Sequence, residues 1–195
     1  EYSFDTGIPN GAPIVSKDTL ESLKNIDHVQ GVTLYRSRQS YQAIFRNNTS
    51  LDGGYIMGVN QDYFSIAGLT IKQGRGITED DNKKFRQVAV LDETSAKLLF
   101  GEDNPIGKTI EISSTPFTIV GVCANKETFE PTMESIDDYY TYNQSSGSKV
   151  YVPSESWPIF YQFDEPQSAL LKVDATSNMT RVGKEAANIL NTNVS

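Results

Sequence analysis

The stretch that decides the fold covers residues 55–124 and reads YIMGVNQDYFSIAGLTIKQGRGITEDDNKKFRQVAVLDETSAKLLFGEDNPIGKTIEISSTPFTIVGVCA. Short apolar runs alternate in it with glycines and with acidic or amide residues that favour turns and helix starts. Gly68 and Gly101 each follow a short helical pattern, and Gly74 and Gly76 bracket a tight turn. The stretch therefore predicts a series of short strands and short helices.

Two helix starts inside this stretch are marked by capping residues. Thr78 and the acidic residues after it predict a capping box at the head of a short acidic helix. Asp92 predicts the N-cap of a second helix over residues 93–100, with Leu99 and Phe100 pointing inward. Strands are predicted around these helices, the last two of them as a hairpin, over residues 55–59, 69–72, 88–91, 108–112 and 117–123.

The sequence on both sides of this stretch also alternates helix and strand. Asp18, with Glu21 three residues later, predicts the N-terminus of a helix. A long strand follows over residues 29–47, and one of its faces changes from apolar to polar midway, which indicates a strand that bends or leaves its sheet. Near the other end, a strand over residues 169–173 precedes a helix over residues 180–190.

This order of elements predicts an α+β fold with two lobes. The chain begins helix–strand and ends strand–helix, so its two ends can share one α+β layer. The expected first lobe combines residues 1–59 with residues 127–195. The expected second lobe is an insertion of mixed α/β structure, residues 60–126. At 195 residues, the chain is long enough for one large domain or two small ones.

The charge balance excludes some classes of partner. The chain carries 25 acidic and 17 basic residues, for a formal net charge of -8. Nucleic acid and anionic lipid headgroups both need clustered Lys and Arg, so we expect neither as a partner. The sequence also lacks an apolar run of about eighteen residues, the minimum for a membrane-spanning helix.

The sequence offers little material for catalysis. His28 is the only histidine, and it lies at a helix–strand boundary without a catalytic motif around it. Cys123 is the only cysteine and lies in an apolar run, so we expect a buried, inert thiol. One cysteine and one histidine do not readily supply a zinc site. We therefore predict no catalytic residue, no cofactor site and no metal site.

One acidic cluster keeps an enzymatic alternative open. Glu79, Asp80 and Asp81 could in principle act as acid and base in a stand-alone hydrolase, or hold Ca²⁺. The spacing lacks the pattern of a calcium loop, and carboxylates in the first turn of a helix are explained by the helix dipole. We expect Arg75 to pair with Asp80 or Asp81.

A second candidate site is the polar stretch over residues 125–149. It contains several acidic residues, then Tyr139, Tyr140 and Tyr142, and then a Ser- and Gly-rich tail. Loops of this length are usually functional or disordered. Tyr- and Ser-rich loops resemble adaptable recognition surfaces in composition. We therefore predict an exposed loop whose three tyrosines contact a partner, with a plain solvent-exposed loop as the alternative.

The order of these motifs resembles the MacB-like periplasmic core domain of FtsX/MacB-type ABC transporter permeases. The resemblance is dense over about 70 residues of the chain, and residues 20–32 look more loosely like the first helix and strand of that family. The residues that carry it are Gly58-Val59-x-x-Asp62-Tyr63-Phe64, Gly68-Leu69, Gly74-Arg75-Gly76, Asp80-Asp81, Val88-Ala89-Val90-Leu91, Ala96-x-x-Leu99-Phe100-Gly101, Asn104-Pro105-Ile106-Gly107-Lys108 and Phe117-Thr118-Ile119-Val120-Gly121-Val122.

The resemblance implies a place and a role for the chain. It implies an extracytoplasmic domain, on a Gram-positive surface or in a periplasm, that is anchored by transmembrane helices of the whole permease. It implies a porter-like lobe from both chain ends and an inserted, sabre-like lobe from the middle. It also implies that ATP is hydrolysed by a separate nucleotide-binding domain or subunit, that the permease is a dimer, and that a membrane-fusion-type adaptor can bind.

Three functions follow from these observations. The first is a non-enzymatic domain that couples cytoplasmic ATP hydrolysis to export or other extracytoplasmic work. The second is an extracytoplasmic sensor or activator for peptide stress or cell-wall signalling. The third is the stand-alone hydrolase built on Glu79, Asp80 and Asp81.

Overall fold

The computed structural model describes residues 15–40, 43–125, 148–159, 161 and 167–192. The helices are α1 Lys17–Lys24, α2 Tyr63–Ile66, α3 Glu79–Lys83, α4 Glu93–Phe100 and α5 Met179–Thr192, with short 3-10 helices at Ser154–Ile159 and Thr176–Asn178. The strands are β1 Val29–Ser40, β2 Ile44–Arg46, β3 Thr49–Ser50, β4 Gly54–Val59, β5 Leu69–Gly74, β6 Val88–Asp92, β7 Thr109–Ile112, β8 Thr115–Asn125, β9 Lys149–Pro153 and β10 Ser168–Val173.

The strands of the described residues form one mixed sheet. Its order is β10-β1-β4-β9-β6-β8-β7-β2-β3, and β5 pairs with β8 beside this path. The pairs β4–β9 and β6–β8 are parallel, and the other neighbours are antiparallel. The predicted α+β class is therefore confirmed, and helices cover a sheet whose strand order differs widely from the order of the sequence.

Strand β1 belongs to two pairings. Its first half, to Tyr35, pairs with β10, and its second half, from Arg36, pairs with β4. This exchange of partners explains the change of face that the sequence shows midway. The prediction of a single strand to residue 47 was wrong in one respect. The chain resumes as β2, which pairs with β7 at the far side of the sheet.

The centre of the sheet is buried on both faces. Alternate residues of β6 enter different apolar clusters, Ala89 and Leu91 on one face and Val88 and Val90 on the other. Helix α4 covers the first face, and α2 covers the second. Burial on both faces explains why this strand is apolar at consecutive positions rather than at alternate ones.

A third apolar cluster joins the two ends of the described chain. Leu23 and Ile26, on and just after α1, pack with Val32 of β1 and with Val182 and Ala186 of α5. All five side chains are buried. The pairing of β1 with β10 brings these two terminal helices to the same part of the sheet.

Helix caps agree with the sequence at two of three positions. Thr78 and Asp81 form the predicted capping box of α3, and Asp92 accepts a hydrogen bond from the Ser95 backbone at the start of α4. At α1, however, the N-cap is Ser16 and not Asp18. Ser16 has extended backbone angles, so its hydroxyl can accept the Thr19 N–H, whereas Asp18 already lies inside the first turn.

The turn at residues 74–76 depends on a close approach of two strands. Gly74 has a φ of +67°, and a Cβ there would overlap the carbonyl of Val120. A Cβ on Gly121 would overlap the carbonyl of Arg75. Strands β5 and β8 therefore meet with a glycine on each side, and only these two glycines permit the Arg75 N–H to bond the Val120 carbonyl at 2.8 Å.

The sheet continues across the predicted boundaries between residues 1–59, 60–126 and 127–195. Strand β9 lies between β4 and β6, and β2 lies beside β7. The division into two lobes stays a prediction. Among the described residues, none of the helices has the length and apolar character needed to cross a membrane.

Candidate functional site

The acidic cluster at the start of α3 is built around a buried carboxylate. Asp81 is fully buried, and its side chain accepts the Thr78 backbone N–H at 2.9 Å. Arg75 approaches the same carboxylate with both terminal nitrogens, at 2.6 and 3.2 Å, and Arg86 with Nη1 at 3.1 Å. The expected pairing of Arg75 with this cluster is therefore present, at Asp81.

The surroundings of Asp81 fix its charge. Burial favours the neutral form and is the largest single influence, but the hydrogen bonds from Arg75, Thr78 and Arg86 together outweigh it. They hold the pKa of Asp81 at about 2. A carboxylate with this pKa is an anion near neutral pH, so Asp81 is not available as a proton donor.

The other two acidic residues of the cluster are also paired. Asp80 lies 2.6 Å from Arg86 and 3.0 Å from Lys84, and a hydrogen bond from Lys84 is the main cause that lowers the pKa of Asp80. Glu79 lies 2.8 Å from Lys83. The carboxylates predicted as a possible acid and base thus form a helix cap and ion pairs. The arrangement is that of a structural network.

His28 is placed in a surface contact at the junction of α1 and β1. Its Nδ1 lies 2.7 Å from Oδ2 of Asp174, which follows β10. The hydrogen bond with His28, supported by one from Asn178, lowers the pKa of Asp174. The Asp174 N–H also bonds the His28 carbonyl at 3.0 Å. These contacts close the open end of the β1–β10 pair.

Cys123 has the environment predicted for an inert thiol. Its side chain is fully buried in the cluster that contains Tyr63 and Tyr151. Burial, assisted by the charge of Asp92, raises the pKa of Cys123 to about 12. A thiol with this pKa is protonated at neutral pH and is a poor nucleophile.

Tyr139, Tyr140 and Tyr142 lie outside the described residues, so their role as partner contacts stays a prediction. The described structure does place the two attachment points of residues 126–147. Strand β8 ends at Asn125 and β9 begins at Lys149, and both strands flank β6. The Lys149 N–H donates to Asp92 at 3.0 Å, and its carbonyl accepts from Ser95 at 3.1 Å, so α4 secures the second attachment point.

Two cavities lie near this end of the sheet. The smaller, of about 350 Å³, has an aromatic and aliphatic floor that includes Tyr63, Tyr151 and Leu170, and a polar edge that includes Asp92 and Lys149. The larger, of about 780 Å³, is an open groove between β5 and α4 with a mixed lining, whose polar and charged side chains are Lys72, Gln73, Glu93, Lys97, Glu102, Asp103 and Asn104.

The sequence did not predict one surface feature, the exposed side chain of Phe85. Phe85 follows α3 with a φ of +50° and has 59% of its surface exposed. The signal in the sequence was the absence of glycine after a short capped helix, where a glycine is the common residue. Among the described residues, no group of three or more His, Cys, Asp or Glu side chains is placed to hold a metal ion.

Comparison with known proteins places the chain among transporter domains. Residues 3–189 match the family of the MacB-like periplasmic core domain. An uncharacterized ABC transporter permease of Bacillus subtilis, YvrN, is 30% identical over 184 residues, which are 94% of this chain and 42% of that protein. The macrolide export ATP-binding/permease protein MacB of Aggregatibacter actinomycetemcomitans is 35% identical over 54% of this chain and 16% of its own length. The chain thus spans less than half the length of these curated relatives.

Solved structures support the same assignment. The periplasmic region of MacB from Actinobacillus actinomycetemcomitans superposes with a TM-score of 0.66 and 25% identity, over 92% of this chain and 74% of that one. The extracellular domain of the ABC-type transporter YknZ from Gram-positive bacteria shares the fold, with a TM-score of 0.64 over 91% of this chain and 83% of that one, at 22% identity. The chain belongs to the family of MacB-like periplasmic core domains, the extracytoplasmic domains of bacterial ABC transporter permeases.

Proposed function

We propose that this domain couples cytoplasmic ATP hydrolysis to export, or to other work outside the cytoplasm, by contacting an accessory adaptor protein or a substrate. In this proposal a nucleotide-binding domain or subunit hydrolyses ATP, and the permease works as a dimer. Residues 1–59 with 127–195 form the porter-like lobe, and residues 60–126 form the inserted lobe. The domain contributes surfaces and carries out no reaction of its own.

The observation that carries the proposal is the family match over residues 3–189, because it extends across nearly the whole chain rather than over one motif. The chemistry of the described residues supports a non-enzymatic role. The carboxylates of α3 are engaged in pairs, and the Cys123 thiol is buried and protonated. Relatives named as macrolide export proteins support export as the work that is done.

The proposal is tested on the full-length permease with its nucleotide-binding partner. We expect ATP turnover to rise when the adaptor-type protein encoded beside the permease gene is added. A permease that lacks residues 15–192 serves as the control, and it is expected to keep basal ATP hydrolysis and to lose the response to the adaptor. Equal stimulation of both proteins would contradict a coupling role for this domain.

The same experiment separates the signalling alternative from export. If the full-length permease instead co-purifies with a membrane sensor protein encoded beside it, and ATP turnover is unaffected by an adaptor, the sensor or activator role is supported. Hydrolysis of a peptide or glycan substrate by the purified domain, abolished by Asp80→Asn, would support the hydrolase and contradict the proposal.

A further inference from the structure

Phe85 occupies a backbone position that usually belongs to glycine. Helix α3 ends with Lys84 as its C-cap, and Phe85 follows with a φ of +50°. The Phe85 N–H donates to the carbonyl of Asn82 at 3.2 Å, and the Arg86 N–H donates to the carbonyl of Asp81 at 2.9 Å. These two bonds make a Schellman motif, in which the residue at the Phe85 position is left-handed and is most often glycine.

The fold gains little from an aromatic side chain at this position. A bulky residue with positive φ is a backbone outlier, and glycine would relieve it. The Phe85 side chain is 59% exposed and belongs to none of the three apolar clusters. An exposed ring held in a strained backbone points to a role at a surface, because strained residues cluster at functional positions.

The turn that presents Phe85 is held rigidly on both sides. Before it, Asn82 donates to the carbonyl of Val59 at 3.4 Å and accepts the Glu155 N–H at 3.0 Å. After it, the carbonyl of Arg86 accepts the Ser156 hydroxyl at 2.9 Å. Because the neighbours of Phe85 are tied to the sheet and to the 3-10 helix Ser154–Ile159, the backbone at Phe85 has little conformational entropy left to lose on binding.

Basic residues flank Phe85 in the sequence. Lys83 and Lys84 are 67% and 61% exposed, and Arg86 is 40% exposed. Lys83 and Lys84 pair with the exposed carboxylates of Glu79 and Asp80, so these two ion pairs are weak and a second protein's carboxylates can compete for the lysines. Arg86 is held more firmly, because it also bonds the buried Asp81. An apolar anchor inside a charged rim is the usual anatomy of a protein interface.

We propose that Phe85 is the anchor by which this domain docks on a separate accessory protein, whose surface carries an apolar pocket for one aromatic ring, edged by carboxylates. A second copy of this chain is the other occupant to be distinguished, and the oligomeric state of the permease separates the two. This inference rests on the proposed function, since it names the contact through which an accessory protein reaches the domain.

The test uses the full-length permease in detergent and the purified adaptor-type protein encoded beside its gene. Phe85→Gly is expected to raise the Kd for that protein by about tenfold or more, because an aromatic anchor is lost. The same substitution is expected to leave the midpoint of thermal unfolding unchanged or higher, because glycine suits the left-handed backbone. Phe85→Trp, which keeps an aromatic ring, is expected to bind within about threefold of the wild type.

Two substitutions serve as matched controls. Ser114→Gly relieves a left-handed residue in the β7–β8 turn, where φ is +66°, and is expected to leave the Kd unchanged. Leu98→Ser removes another exposed apolar side chain, which is 57% exposed on α4, and is also expected to leave the Kd unchanged. Together they separate loss of this anchor from relief of backbone strain and from loss of any exposed apolar group.

Each result has one meaning. If the wild-type permease binds the adaptor and Phe85→Gly binds equally well, the anchor is wrong and the proposed function stands. If the wild type does not bind the adaptor at all, adaptor docking fails and this inference fails with it. If light scattering shows that Phe85→Gly breaks a permease oligomer that the wild type forms, a second copy occupies Phe85 and the accessory protein is overturned.

Discussion

Asp81 is the buried residue of α3 on which the ion pairs and the helix cap converge. Its carboxylate serves two purposes, as half of the capping box with Thr78 and as the common acceptor of Arg75 and Arg86. A buried ion pair adds little stability compared with an apolar core, but removal of one partner leaves an uncompensated charge. Because Arg75 precedes α3 and Arg86 follows it, their shared bonds to Asp81 fix the positions of both segments relative to the helix.

Asp81→Asn is expected to lower the free energy of unfolding by roughly 2–3 kcal/mol, because the partly exposed Arg75 and Arg86 lose their hydrogen bonds to a carboxylate while the amide oxygen can still cap the helix. Chemical denaturation of the domain measures this change. Asp103→Asn is the control, since Asp103 pairs with Arg46 and Lys108 at the surface with 61% exposure. A similar loss for both variants would contradict the special position of Asp81.

The same residue predicts a pH dependence. The pKa of Asp81 lies at about 2 in the folded chain against an ordinary 3.8, so the ionised form favours folding. The stability linked to it, about 2 kcal/mol, is fully present above about pH 5 and is lost progressively as the pH falls through about 4 towards about pH 1. Denaturation curves from pH 6 to pH 2 are expected to fall more steeply for the wild type than for Asp81→Asn. Parallel curves would show that other carboxylates dominate.

Phe100 is a second residue whose side chain contributes strongly to the stability of the domain. It is 5% exposed in the cluster on the α4 face, and the guanidinium of Arg46 lies 4.2 Å from its ring centroid. Phe100→Ala is expected to cost about 3–5 kcal/mol in the free energy of unfolding. Leu98→Ala on the exposed side of the same helix is expected to change it by less than about 0.5 kcal/mol. A loss below about 1 kcal/mol for Phe100→Ala would contradict its place in the core.

At the scale of elements, the contact between β5 and β8 joins the turn at Gly74 to a central strand of the sheet. The strands shift register between Ile71 and Gln73, and the two glycines beyond this bulge let the backbones meet. A bulge of this kind raises the local twist and redirects the chain. The bulge directs the chain from the end of β5 towards α3, so the positions of the acidic residues of α3 depend on the bulge.

Gly121→Ala tests this contact. The added methyl group would overlap the Arg75 carbonyl, so we expect a loss of about 3 kcal/mol or failure to fold. Gly183→Ala is the matched control, because that glycine lies inside α5 with open space around its Cβ position. It is expected to stabilise the domain by about 0.5–1 kcal/mol. Circular dichroism melts of both variants would decide, and equal melting points would contradict the close approach.

The sequence could predict these elements where the signals were local. The capping box at Thr78, the cap at Asp92 and the hairpin of β7 and β8 depend on neighbouring residues, and each was found. The exchange of β1 between β10 and β4 and the pairing of β2 with β7 depend on contacts distant in the sequence, which no local pattern specifies. At α1, Asp18 was the expected cap, but Ser16, two residues earlier, has the extended backbone angles that the cap requires.

The candidate site followed the same rule. The Arg75–Asp81 pair was anticipated because both residues flank one short turn. The addition of Arg86 to that network was not anticipated, because it depends on the left-handed turn at Phe85 that brings the chain back to α3. Phe85 itself was missed because exposure is a property of the folded surface, and a phenylalanine in sequence is by default a core residue.

At the scale of the whole molecule, residues 126–147 leave and re-enter the sheet at neighbouring points. Cys123 lies beside Asp92 of β6, and Val150 lies beside Leu91 of the same strand. The two attachment points are thus separated by one strand, which corresponds to two interstrand spacings or about 10 Å. A segment attached in this way can change without a change in the strand order.

Replacement of residues 127–147 by a short Gly-Ser linker is therefore expected to keep the fold and to weaken partner binding, if the tyrosines at 139, 140 and 142 make the predicted contacts. A linker of about four residues spans the gap. Thermal unfolding checks the first half, and titration of the full-length permease with the adaptor checks the second. An unchanged adaptor Kd would remove this segment from the contact surface, whatever the result for Phe85.

The contact of His28 with Asp174 lies where a mechanical force between the two terminal helices would act on the sheet. Strands β1 and β10 are antiparallel, and Val29 pairs with Val173, so helices α1 and α5 adjoin the same end of the ladder. Tension that separates these helices peels the ladder open rung by rung instead of shearing all rungs at once. Such tension must first separate the apolar cluster that packs α1 against α5, and it then reaches the His28–Asp174 contact and its backbone bond. The single histidine of the chain thus closes the end of the β1–β10 ladder at which such tension enters.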